Sequence, residues 1–121
     1  MGLDFRIGKR SSEAQWSYSG FNTFRSKIAT IVGIDLKDMD GFGGCKEWNS
    51  VKDDIALFLN HSDCEGSLTP KQCKKVYPRL SELVEQFPAE SIWLDHDKRC
   101  GKILVKDMKE CVEKNINLEF C

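Results

Sequence analysis

The stretch TPKQCKKVYPRLSELVEQF, residues 69–87, decides the fold class. Thr69, Pro70 and Gln72 form a helix start. The threonine hydroxyl can accept from a first-turn N–H, proline suits the first helical position, and the glutamine side chain reaches back to the cap. From there Cys73, Val76, Leu80, Leu83, Val84 and Phe87 recur at helical spacing, with a kink or break expected at Pro78. A helix with such a face is stable only against other elements, and the flanking sequence supplies them.

Upstream, Phe21, Phe24, Ile28, Ile31 and Val32 predict a first helix over about residues 19–32, stopped by Gly33. IDLKDMDGFGGCKEW reads as a long loop around its glycines. Ser50 and Asp53 look like a capping box opening a second helix with Val51, Ile55, Phe58 and Leu59 on one face, ending near Asn60. Downstream, a connection containing Trp93 leads to a fourth helix from about Asp97, with Cys100, Ile103, Leu104, Met108, Cys111 and Val112 inward. The alternating segments LDFRI and NLEFC suit a two-stranded antiparallel ribbon joining the termini. The expected fold is therefore α+β and predominantly helical, with about four helices, in a single domain spanning residues 1–121.

The 31% of charged residues nearly cancel to a net charge of -1, which predicts no strong attraction to nucleic acid or anionic membrane. The longest apolar run is IALFL, far short of the roughly 18 residues that span a bilayer. MGLDFRIGKR has no apolar signal-peptide centre, and Arg6 stands where a myristoylation signal needs Ser or Thr. These features imply a cytoplasmic protein. In that compartment Cys45, Cys64, Cys73, Cys100, Cys111 and Cys121 should be thiols, and the three on apolar helix faces, Cys73, Cys100 and Cys111, small buried hydrophobes.

NHSDCEGSLTPKQC, residues 60–73, concentrates polar chemistry between two helices. Aligned as a calcium loop it has Gly66 at the sharp turn and Leu68 at the core position, but His61 replaces the first carboxylate and Gln72 the bidentate glutamate. A zinc reading joins His61 and Cys64 to His96 and Cys100, although the spacing between the pairs fits no finger pattern. A capped polar turn shaped by Ser62, Asp63 and Gly66 accounts for the same residues without metal, and no cofactor is expected. Neither GLDFRIGKRS nor GFGG has the frame of a nucleotide-binding motif. With two histidines and no assignable triad, the chain is expected not to be an enzyme.

QWSYSGFNTFR, residues 15–25, suggests binding. Trp16 and Tyr18 could stack on a base, while Ser17, Ser19 and Arg25 at a helix entrance could hold phosphate. On this reading Trp16, Ser17, Tyr18, Ser19 and Arg25 form one wall of a nucleotide site and Ser62, Asp63 and Gly66 another, with oligomers needed to enclose a ligand. The alternative makes Ser19 a helix cap and Trp16 a staple on the core. A second functional class, a protein–protein inhibitor of a host protein, would use Trp16, Tyr18, Trp48 and Trp93 as anchors.

Together, WSYSGFNTFR, HSDCEGSLTP and the terminal LEFC resemble small uncharacterised bacterial and phage proteins that begin MGLD, over most of the chain. The resemblance carries over no catalytic residue. It implies a phage or prophage setting, where small proteins without enzymatic motifs are often counter-defence factors that block a host protein or sequester its nucleotide messenger.

Overall fold

The computed structural model describes residues 3–40, 42–61, 66–87 and 92–121, apart from the side chains of residues 92–95. Along the chain run β1 (Phe5–Ile7), β2 (Arg10–Ser11), α1 (Tyr18–Ile31), α2 (Ala56–Leu59), β3 (Ser67–Leu68), α3 (Pro70–Glu85), α4 (Ile92–Lys114) and β4 (Leu118–Phe120). Among the described residues these four helices and one antiparallel sheet of order β2-β1-β4-β3 make a predominantly helical α+β fold.

The expected terminal ribbon is the centre of that sheet. Phe5 lies opposite Phe120, and Ile7 opposite Leu118. Both strands alternate buried and exposed residues, so Phe5, Ile7, Leu118 and Phe120 all point to the helices. The ribbon is wider than expected because β2 folds back on β1 and the two-residue β3, just ahead of α3, adds to β4.

At the start of α3 the capping box forms in both directions: Thr69 Oγ1 accepts from Gln72 N at 3.2 Å, and Gln72 Oε1 accepts from Thr69 N at 2.9 Å. Its predicted apolar face is buried, and the helix runs through Pro78 without a break. Pro78 is exposed on the side away from the core, so continued burial of Leu80, Leu83 and Val84 holds the helix together beyond it. The closest helix packing joins α3 to α4. It requires Gly101, where a Cβ would come within 2.8 Å of Val84 Cγ2 and 3.3 Å of Phe24 Cζ.

Three boundaries differ from expectation. The second helix is the single turn α2, because Asp53 accepts from Ile55 N at 3.0 Å and from Arg79 on α3, which makes a turn where a longer helix was expected. The fourth helix begins at Ile92, so Trp93 lies in a helix and not in a connection. The Asp95–His96–Asp97 cluster reads as an exposed turn, yet Asp97 is buried inside α4, held by Trp16 Nε1 at 3.0 Å and Lys27 Nζ at 2.7 Å. Finally, α1 starts one residue early, with Ser17 as its cap, and Ile31 at its end is exposed.

Cys73, Cys100 and Cys111 are buried, as expected of small apolar side chains, whereas Cys45 and Cys121 are exposed. A hydrogen bond with Cys111, and then burial, push the Cys73 thiol above its ordinary range. In a Cys64→Ser variant, Cys45 and Cys121 should react rapidly with an aromatic disulfide reagent, and the buried thiols only at the rate of global unfolding. Equal labelling of all five would contradict this packing.

Candidate functional site

The wall expected at the entrance of α1 does not form. Trp16 is only 4% exposed, stacked on Phe24 with ring centroids 4.7 Å apart and edge-on to Phe5 at 6.1 Å. Its indole belongs to the core because its N–H satisfies buried Asp97. Arg25 is also buried: Nη1 donates to Leu59 O at 3.3 Å and His61 O at 2.7 Å, and the guanidinium lies 4.8 Å from the Phe21 ring and 4.9 Å from that of Phe42. It serves the carbonyls at the end of α2 instead of a phosphate. Ser17, not Ser19, caps α1, accepting from Gly20 N at 3.0 Å. Tyr18 and Ser19 remain exposed.

The predicted second wall is described only at Gly66, whose φ is 89° and whose carbonyl accepts from Phe120 N at 2.9 Å. Ser62, Asp63 and Cys64 lie outside the described residues. Leu68 enters the core and α3 leaves from Pro70, as the calcium-loop alignment expects.

His61 stacks on Phe120 at 3.9 Å, and its Nε2 is 3.0 Å from Ser67 O. His96 Nε2 is 3.0 Å from Gln15 O, and Cys100 Sγ lies 3.7 Å from that nitrogen. A carbonyl only accepts, so each Nε2 donates there, and only the Nδ1 atoms keep a lone pair. Among the described residues no three His, Cys, Asp or Glu side chains are grouped to hold a metal ion. Of the expected interface anchors Trp16 is buried, Trp48 half-buried and Tyr18 exposed, and the Trp93 side chain is outside the described residues.

The structure instead opens a cleft of about 590 Å³ between the residue 48–61 segment and the start of α3. One wall carries Trp48, whose Nε1 donates to Asp40 O at 2.9 Å and whose ring meets Phe42 edge-on at 5.9 Å. Those contacts fix the indole plane. The loop that holds it depends on Gly44, since a Cβ there would lie 2.1 Å from the Asp38 backbone.

The side-chain amides of Asn49, Asn60 and Gln72 also line the cleft, together with Lys52 and Lys75. Gln72 uses its oxygen in the capping box, which leaves its NH₂ to donate. Among the described residues the side-chain amides of Asn49 and Asn60 have no partner.

Arg79 clamps Asp53 through Nε at 3.0 Å and Nη2 at 2.9 Å. Desolvation works to raise the Asp53 carboxyl, but the bonds from Arg79 and from Ile55 N outweigh it and hold the group below its ordinary range. Asp53 therefore enters the cleft as a neutralised ion pair. Asp54, at the rim, has no cationic partner among the described residues.

Of the residues that line the cleft, the sequence points to His61 and Gln72 as positions of a calcium-loop alignment, to Gln72 also as a helix cap, and to Trp48 as an interface anchor. Asn49, Asn60, Lys52 and Lys75 carry no motif. No helix among the described residues is long and apolar enough to cross a membrane. Compared with protein-family models, with curated proteins and with solved structures, the chain matches none.

Proposed function

We propose that this chain is a non-enzymatic binding protein that sequesters a nucleotide-derived anion in the cleft beside α3. The observation that carries the reading is the convergence of a fixed indole, three side-chain amides with open hydrogen-bonding capacity and two lysines in one cleft. An indole offers a stacking face to any base, side-chain amides read base edges, and ammonium groups neutralise phosphate. Asp54 at the rim is an acceptor for sugar hydroxyls. Among the described residues no cysteine lines this cleft, and the amides and ammonium groups that do line it support binding.

Sequestration in the host cytoplasm, in a counter-defence role, is the setting that the resemblance to the MGLD proteins supports. A second copy of the chain packed over the cleft would complete the enclosure of a ligand. Light scattering with and without ligand tests that assembly.

Calorimetry against nucleoside monophosphates, cyclic nucleotides and ADP-ribose-type compounds tests the binding. One class should bind at micromolar concentration. Asn60→Ala and Lys75→Ala should each weaken it about 10-fold, the equivalent of one charge-assisted or base-edge hydrogen bond, while Tyr18→Ala has no effect. Absence of heat from every compound at tens of micromolar protein would reject the proposal.

A further inference from the structure

The first two turns of α3 carry an arrangement that helix physics disfavours. Lys71 stands in the first turn, which contains no acidic residue, so a cation faces the positive end of the helix dipole without local compensation. Lys74 and Lys75 follow at i+3 and i+4, where like charges repel. Other basic residues nearby are neutralised: Arg79 is held by Asp53 and Glu82, and on α4 Lys102 pairs with Glu85. Among the described residues Lys71, Lys74 and Lys75 have no acidic partner within salt-bridge distance.

These three lysines line a depression of about 620 Å³ together with Pro78, the Arg79 guanidinium and the carboxylates of Asp54 and Glu82, of which Glu82 is already paired with Arg79. Proline at this position also leaves the Lys74 side chain without a long neighbour at i+4. The depression adjoins the cleft, since Lys75 and Asp54 line both. A local rule broken in the free protein, in contact with a candidate site, is what a ligand of opposite charge would relieve.

From this juxtaposition we infer that α3 is a polyphosphate shelf, so that the ligand class is a nucleoside di- or triphosphate: the nucleoside lies in the Trp48 cleft and the phosphate chain runs across Lys75 to Lys74 and Lys71. The inference rests on the cleft being a nucleotide site. It adds that affinity rises with the number of phosphates. The shelf also predicts a trade between stability and binding, because removing the lysines relieves repulsion in the free protein.

The test is calorimetry of the full chain with the mono- and triphosphates of the four common nucleosides and with inorganic tripolyphosphate. For the base that binds, the triphosphate should bind about 30-fold more tightly than the monophosphate, as one or two additional charge-assisted contacts allow. Lys71→Ala/Lys74→Ala should reduce that ratio to about 3-fold or less, leave monophosphate affinity unchanged, and raise the Tm of the free protein by about 2 °C. Lys106→Ala/Lys109→Ala, on the exposed face of α4, should leave the ratio intact.

Equal affinity for mono- and triphosphate, or a ratio that survives Lys71→Ala/Lys74→Ala, would overturn the inference while the cleft reading stands. Tripolyphosphate binding as tightly as any nucleotide would instead remove the cleft reading and leave a polyanion site. A single-stranded oligonucleotide that binds more tightly than every triphosphate, and loses affinity in the same variant, would overturn the small-ligand assignment in favour of nucleic acid.

Discussion

Trp16→Ala is expected to lower stability by about 5 kcal/mol, close to the whole stability of many domains of this size. The lost ring packs on Phe24, Phe5 and Phe21, so truncation opens a cavity at the junction of β1 with α1. It also removes one of the two donors to buried Asp97, leaving Lys27 alone to offset a carboxylate inside the fold. Truncation of a buried aromatic accounts for about 3–5 kcal/mol and an unsatisfied buried acceptor for about 1–3.

Trp16→Phe separates the two contributions. It keeps an aromatic ring but not the N–H, and should cost about 2 kcal/mol. Urea unfolding followed by circular dichroism measures both. If the cleft binds nucleotide as proposed, that affinity should survive in Trp16→Phe, because the cleft is lined by other residues. A Trp16→Ala protein that stays within about 1 kcal/mol of wild type and loses ligand would return Trp16 to the binding wall.

Arg25→Met should cost about 3 kcal/mol and, if the cleft binds a ligand as proposed, weaken that binding as well. Methionine retains much of the apolar stem but strips the donor from Leu59 O and His61 O and ends both cation–π contacts. Each deprived carbonyl, buried at Leu59 and partly buried at His61, costs about 1–2 kcal/mol, partly offset because a buried charge no longer has to be desolvated. Those carbonyls flank Asn60, which lines the cleft, so the end of α2 and one of the three amides lose their anchor together. Chemical denaturation and calorimetry on the same variant check the coupling. Wild-type stability with wild-type affinity would show that the arginine does not hold this corner.

The elements legible in the sequence are those whose signals are local. Thr69, Pro70 and Gln72 specify the start of α3 because cap and partner are three residues apart and satisfy each other. Cys73, Val76, Leu80, Leu83 and Val84 specify its buried face through periodicity alone. The β1–β4 pairing was also readable, since both segments alternate and each has one apolar face to bury. The candidate site was not readable in this way. It draws on Trp48, Asn49, Asn60 and Lys75, which share no spacing rule and meet only when the chain folds.

By itself, then, the sequence determined a predominantly helical α+β fold, the start and inner face of α3, the central pair of strands and the burial of three cysteines. Capping and amphipathic burial act within a few residues and leave a pattern. Tertiary structure alone decided that Trp16 turns inward and that α4 reaches back to Ile92, because the acceptor for Trp16 is Asp97, 81 positions away. The same holds for Arg25, whose acceptors at Leu59 and His61 lie 34 and 36 positions along the chain. A buried polar group goes where its partner is, and that partner has no address in the local sequence.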